Sequence, residues 1–288
     1  MKKLRNLFFP LIFVLLASCQ RQPQDTLKFG IMGAVEAIPF IVAEERGYLD
    51  EIPLELVVFT NARERDAAMQ AGTLDGMVAD VVAVFLYQEA GFDLRLTGTA
   101  NGTFALVGSP DPTTVALSSN TATELVLDLL ELDGITKTEI PAIPLRLEML
   151  KEGLVEAALL PEPYASLAIK AGFQNLGGTQ DLGFNPFVTA FTQDAITQHK
   201  EAIASLFEAY DQAVRYLNES PLPPYQDVLS QRLGFPDTTW QAYTLPPLLF
   251  NAAPDTDHLL LTRNWLKSRN LLTGDPEPDS LLSPISFW

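Results

Sequence analysis

The residues of this chain best suited to hold a small molecule fall in five short stretches, each directly after an apolar, strand-like run. They are Gly33 to Pro39 with Glu36, then Thr60-Asn61, then Asp80, then Ser118-Ser119-Asn120-Thr121, and finally Glu162 and Tyr164. In open α/β sheets, ligands bind beyond the carboxyl ends of strands, where loop amides, hydroxyls and helix N-termini supply donors. Glu36, Asp80 and Glu162 can accept from ring or amino N–H groups. No arginine or lysine stands at these ends; Arg63 and Arg65 come nearest, in the helical turn after Asn61. A sulfonate or nitrate would call for arginine or a ring of helix N-termini. The acidic, amide-rich set therefore predicts a neutral or cationic nitrogenous ligand, pyrimidine- or amine-like, with an anion as the alternative.

Each of these side chains has a structural role to weigh against the binding one. Asp80 and the Ser118–Thr121 run are well placed to cap helices, Glu162 lies between two prolines, and Tyr164 can point inward or into the core. Glu124, Asp128 and Glu131 recur at helical intervals and read as a solvated face. No nucleophile elbow, phosphate-binding glycine loop or zinc-binding His-Glu helix occurs. With His199, His258 and a single cysteine, a structural zinc site is not expected. The expectation is a binder without cofactor or metal, not an enzyme.

The elements that must position these residues follow from periodicity and punctuation. Strands are expected at Leu27–Met32, Leu54–Phe59, Gly76–Ala79, Val115–Leu117, Ile140–Ile143 and Ala157–Leu160. Helices fall between them, with Pro39 at a first turn and Gly47, Gly72, Gly91, Gly153 and Gly172 at helix ends. This alternation implies βαβ units and parallel sheets. The segments Ala71–Asp80 and Glu152–Pro161 repeat one pattern: a helix-closing glycine, an acid three positions later, and a short buried strand. Two similar lobes would leave such a trace. From Asp194 onward the chain turns helical, and the tail from Gly274, with three prolines, is expected to be irregular.

Cys19, the one cysteine, closes the one long apolar segment. Lys2, Lys3 and Arg5 precede the apolar Leu7–Leu16, and Ala17-Ser18 lead into Cys19. That order describes an export signal, and Leu16-Ala17-Ser18-Cys19 resembles a bacterial lipobox, whose cysteine is acylated. The run is shorter than the roughly 18–20 residues that span a bilayer. Residues 1–19 are thus expected to be a lipoprotein signal peptide and residues 20–26 a tether, leaving the domain lipid-anchored at the cell membrane on its extracytoplasmic face. Loss of residues 1–19, with three basic residues and no acidic one, takes the formal charge from −17 to −20. Such a charge argues against a nucleic-acid partner. No cysteine remains for a disulfide, so the core alone must hold the fold.

The motifs together resemble the substrate-binding proteins of ABC importers, in the group that serves aliphatic sulfonates, nitrate and the thiamine pyrimidine precursor. The resemblance rests on Gly33, Pro39, Glu45-Arg46-Gly47-Tyr48-Leu49, Ala71-Gly72-Thr73-Leu74-Asp75, and Ala157 to Ala165 with its Glu162-Pro163-Tyr164 signature. Pro161 stands where many members carry tryptophan. The likeness covers Leu27 to Leu217 and implies a two-lobe periplasmic-binding-protein fold of type II, parallel-sheet lobes joined by two crossings near 103–109 and 185–191. Residues 27–106 with 190–288 would form lobe 1 and residues 107–189 lobe 2. It implies a small-molecule ligand in the interlobe cleft, an ABC permease as partner and a monomeric subunit. A ligand-sensing lipoprotein, or an enzyme on the same fold like a chorismate dehydratase, are the other readings.

Overall fold

The computed structural model describes residues 26–220 and 222–288, so Cys19 and most of the expected tether lie outside the described residues. Ten strands run Leu27–Met32 (β1), Leu54–Phe59 (β2), Gly76–Asp80 (β3), Leu94–Thr99 (β4), Phe104–Gly108 (β5), Thr114–Leu117 (β6), Thr136–Glu139 (β7), Ala157–Pro161 (β8), Gln174–Gly178 (β9) and Phe187–Thr192 (β10). Between and after them lie helices Ile38–Glu45 (α1), Ala62–Gln70 (α2), Val81–Glu89 (α3), Ala122–Leu129 (α4), Ile143–Lys151 (α5) and Tyr164–Lys170 (α6). Gln193–Gln198 (α7), Lys200–Glu219 (α8), Gln226–Leu233 (α9), Thr239–Ala242 (α10) and Thr256–Ser268 (α11) complete the chain.

The strands form two five-stranded sheets, β2-β1-β3-β10-β4 in lobe 1 and β7-β6-β8-β5-β9 in lobe 2. The two orders are the same pattern. The third strand of each βαβ set is β3 or β8, the strand that the Ala71–Asp80 and Glu152–Pro161 repeat ends on. The glycines that open both repeats adopt left-handed backbone, φ 68° at Gly72 and 69° at Gly153, where a side chain would be strained.

The expected parallel pairs are present in both sheets, and each sheet also takes in one antiparallel strand. β10 is antiparallel to β3 and β4, and β5 is antiparallel to β8 and β9. The cause is topological. Each of these strands enters from the other lobe, arriving at the carboxyl ends of its neighbours: Phe104 pairs with Pro161 and Phe187 with Asp80. The chain changes sheet through 100–103 and 179–186, while the expected boundaries after 106 and 189 fall inside β5 and β10. The crossings are tied together. Asn185 Nδ2 donates to Ala100 O (3.2 Å), the Ala100 amide to Phe187 O (3.1 Å), and the Phe104 and Phe187 rings stack 4.7 Å apart.

The α8 helix lays its apolar stripe of Leu206, Ala209, Tyr210 and Ala213 on lobe 1, where the Phe40 and Tyr210 rings meet at 4.8 Å and Phe29 and Phe40 at 5.1 Å. Fully burying such a side chain contributes about 1.5–3 kcal/mol. Residues after α9 reach across to lobe 2: the Phe235 ring meets Tyr164 edge-on at 6.3 Å, and Lys170 Nζ donates to Gln241 O (3.0 Å).

Two expectations of local structure need correction. Residues 140–143 are not a strand; the strand is β7 just before them, a mostly exposed edge of sequence Thr-Lys-Thr-Glu that carries no apolar alternation to announce it. Nor is the Glu124–Asp128 face solvated. Glu124 is only 3% exposed and takes ion pairs from Lys137 (2.9 Å) and Arg269 (2.6 Å), while Asp128 pairs with the same two cations and accepts from Trp265 Nε1. Burial raises the Asp128 carboxyl, but the hydrogen bonds and charges of these partners outweigh it and hold it below the usual range. Since α11 packs on α3 of lobe 1, this network joins the two lobes.

Candidate ligand-binding site

The two sheets point their carboxyl ends at each other, and a small cavity, open on one side to solvent, lies between them. Lobe 1 contributes Met32, Glu36, Ala62, Arg65 and Asp80; lobe 2 contributes Ser118, Thr121, Thr123, Pro141 and Arg146; Phe104 and Phe187, the first residues of β5 and β10, complete the wall. The N-terminal turns of α2, α3, α4 and α5 converge here, and the dipoles of these helix ends favour negative charge.

Two arginines dominate the chemistry. Arg65, 3% exposed, donates from Nη1 to Val78 O (3.0 Å) and from Nε and Nη2 to Asp66 Oδ1 (2.9 and 2.7 Å). Burial works against its charge, but Asp66 and Asp80 outweigh that and hold it above the ordinary range. Arg146, 2% exposed, is held differently. Its Nε, Nη1 and Nη2 donate to the carbonyls of Ile140 (3.0 Å), Leu159 (2.5 Å) and Pro141 (3.3 Å). No carboxylate pairs with it among the described residues. Desolvation pulls its guanidinium down to about 10. Three carbonyls leave about two of its five N–H donors unmatched by protein. Glu139 acts on it through its charge without bonding to it; a buried cation so partly compensated is costly and is relieved by an anion.

Two acids share the cavity, both from lobe 1. Asp80 caps α3, accepting from the Ala83 amide (3.0 Å), and burial raises its carboxyl against the charge of Arg65. Glu36 is 3% exposed, its Oε2 has no partner among the described residues, and burial pushes its carboxyl up to about 8.

Of the residues expected from sequence, the structure brings Glu36, Asp80, Ser118 and Thr121 to the cavity wall. The others lie elsewhere. A Cβ on Gly33 would stand 2.6 Å from Leu233 O, so this glycine serves the approach of α9. Pro39 is buried in the first turn of α1. Asn61 caps α2 through the Glu64 amide (3.0 Å), with Thr60 exposed beside it. Asn120 adopts φ 57° in the turn before α4. Ser119 donates from its amide and hydroxyl to Glu139 (2.6 and 2.5 Å), and Glu139 pairs with Arg63 of lobe 1 at 2.7 Å, closing one edge of the cleft. Glu162 turns its carboxylate onto α6, accepting from the Ser166 amide (3.1 Å) and hydroxyl (3.0 Å); burial raises its carboxyl against those bonds. Its carbonyl accepts the Val35 amide across the cleft (3.1 Å). Tyr164 is buried against Phe235.

Arg146, Phe104 and Phe187 were not anticipated, and Arg65 was noted without being placed at the site. A signal for Arg146 did exist. Ile143, Arg146, Leu147 and Leu150 form the buried face of α5 at spacings of three and four, and an arginine on such a face must find polar partners inside.

No protein-family model matches the chain, and no curated protein matches it in sequence. Solved structures do match in shape. The alkanesulfonate-binding protein SsuA from Xanthomonas axonopodis pv. citri, bound to MOPS, superposes with TM-score 0.74 at 18% identity over 91% of this chain and 99% of that one. This chain has the periplasmic-binding-protein fold. The periplasmic nitrate-binding protein NrtA from Synechocystis PCC 6803 gives 0.67 at 13% identity, covering 89% and 85%. The fold is not restricted to binders, since the desulfurization enzyme DSZB gives 0.63 at 16% identity, covering 90% and 96%. No helix among the described residues is long and apolar enough to cross a membrane, and no group of three metal-ligating side chains occurs among them.

Proposed function

We propose that this chain is the extracytoplasmic solute-binding subunit of an ABC importer, and that it captures a small anion with a short apolar part between its lobes. The observation that carries the anion is Arg146: a buried guanidinium at the cavity wall, hydrogen-bonded to carbonyls, with no carboxylate bonded to it among the described residues. Arg65 faces it from the other lobe, so an oxyanion between them would draw the lobes together. Phe104, Phe187, Met32 and Ile143 suit an aliphatic stem. The nitrogenous reading from sequence rested on a cleft without arginine, and two arginines line it. That reading keeps one observation in its favour, the pair of acids Glu36 and Asp80 on lobe 1.

The neighbours bind an alkanesulfonate and nitrate by their descriptions, which supports an oxyanion. In this reading the domain works as a monomer tethered through acylated Cys19, delivers its ligand to a permease, and does not turn the ligand over. A sensor with the same pocket differs only in its partner, which co-purification identifies. The deciding experiment is thermal unfolding in the presence of ethanesulfonate, nitrate, propylamine or cytosine. A ligand at a hundredfold excess over Kd stabilises by about 2.7 kcal/mol. Ethanesulfonate or nitrate should raise Tm and propylamine should not. The reverse result returns the nitrogenous reading, and product formation from a bound compound would make the chain an enzyme.

A further inference from the structure

The anion reading leaves Glu36 unexplained, because a second carboxylate beside the ligand would repel it. Its surroundings resolve the conflict. Glu36 sits in the turn before α1 among Val35, Ala37 and Ile38, all buried, and it lines the cavity. The ionisable groups facing it are Arg65 from α2, Tyr164 from α6, Tyr210 from α8 and Tyr243 beyond α10. The three tyrosines are neutral below pH 10, each raised first of all by burial. Arg65 is the one cation in the set, and its guanidinium is already committed to Asp66 and Val78 O. The Oε2 of Glu36 thus faces a desolvated space with no donor among the described residues. An ionised carboxylate in that position is strongly disfavoured, while a carboxylic acid costs little and gains a donor.

We infer that Glu36 recognises its ligand as a neutral acid, donating its O–H to an oxygen of the bound anion, so that capture of the anion requires a proton on Glu36. This rests on the anion reading and deepens it: the lobe 1 acid selects a ligand with an acceptor oxygen at that point. Burial already holds the free carboxyl near 8, so below that pH the proton is in place. Above it, each binding event takes one proton from solution, and affinity for an anion falls about tenfold per pH unit.

The probe is ethanesulfonate, ionised at every working pH, so that any pH dependence belongs to the protein. Calorimetric titration between pH 5.5 and 9, below the range in which Arg146 loses its proton, in two buffers of different ionisation enthalpy, gives both Kd and protons taken up. The expected result is a Kd that is flat below pH 7 and rises about tenfold per unit above 8, with uptake approaching one proton at pH 9. In Glu36→Gln, which keeps a neutral donor, slope and uptake should disappear. In Glu36→Met, without a donor, affinity at pH 6 should fall on the order of tenfold; melting of the unliganded variants checks that both are folded. A wild-type Kd that stays flat to pH 9, or a slope below pH 9 that persists in Glu36→Gln, overturns the role of Glu36 and leaves the anion reading standing. Failure of both ethanesulfonate and nitrate to bind, with propylamine binding more tightly as pH rises, overturns the anion reading and this inference together.

Discussion

Replacing Arg146 by methionine separates the structural role of this side chain from the binding role proposed for it. The guanidinium ties together the carbonyls of Ile140, Pro141 and Leu159, and it is the cation that an anionic ligand would neutralise. Loss of the three bonds costs about 1 kcal/mol each. Against this, a desolvated, unpaired charge is removed and an unbranched apolar side chain of similar reach is buried. Such exchanges of buried charge for apolar volume are often neutral, within a few kcal/mol of either sign. Stability of the unliganded protein should therefore change by no more than about 2 kcal/mol, measured by urea unfolding. Binding should change far more, because in the complex the bonds from Arg146 are charge-assisted. At roughly 1.5–3 kcal/mol, affinity for ethanesulfonate should fall on the order of tenfold to a hundredfold in calorimetric titration. Arg146→Lys, which keeps the charge without the planar fork, should fall in between. An Arg146→Met variant that unfolds normally and binds ethanesulfonate as tightly as wild type would refute the assignment of this arginine to the ligand.

Three further outcomes follow from other contacts. Arg63→Ala removes the exposed ion pair with Glu139 across the cleft, so affinity should fall by no more than about fivefold and the effect should vanish in 0.5 M salt, read by titration at two ionic strengths. Arg269→Ala leaves the buried Glu124 with Lys137 as its one cation, and should cost about 1–3 kcal/mol in urea unfolding. The raised carboxyl of Glu36 makes the unliganded protein less stable as pH rises. The folded state holds the proton up to about 8, against a reference of 4.5. Stability should therefore decline from about pH 4.5 to 8 and level off above, by at most on the order of 5 kcal/mol, and Glu36→Gln should flatten that decline in unfolding measured across the range.

The fold was legible in the sequence because its parallel strands are short apolar runs closed by glycine. The bounds of β1 and β2 could be read directly, and the Gly72 and Gly153 repeat marks equivalent strands of two lobes. The strands that were missed are of other kinds. β7 and β9 are edges with little apolar content, β4 is an edge whose one neighbour is β10, and β5 and β10 are antiparallel strands whose neighbours are distant in sequence. Cavity-lining residues were legible where they follow a strand end, as Glu36, Asp80, Ser118 and Thr121 do. Arg146 is not at a strand end. It reaches the cavity from the inner face of a helix, and its partners are backbone carbonyls, which no side-chain pattern encodes. Glu162 shows the converse: a strand-end acid whose nearest donors belong to its own helix, the Ser166 amide and hydroxyl. The misreading of Glu124 has a similar cause, since its partner Arg269 lies 145 residues away.

The central claim, a single anion held between the lobes, is tested most directly by calorimetric titration of the protein with ethanesulfonate beside its Ala62→Trp variant. Ala62 lines the cavity from the first turn of α2, and an indole there would occupy the space between the lobes. The account predicts one site per chain in the wild type, with nitrate competing for it, and no detectable binding in a folded Ala62→Trp protein. Equal binding by both proteins would place the anion outside the cleft and contradict the account.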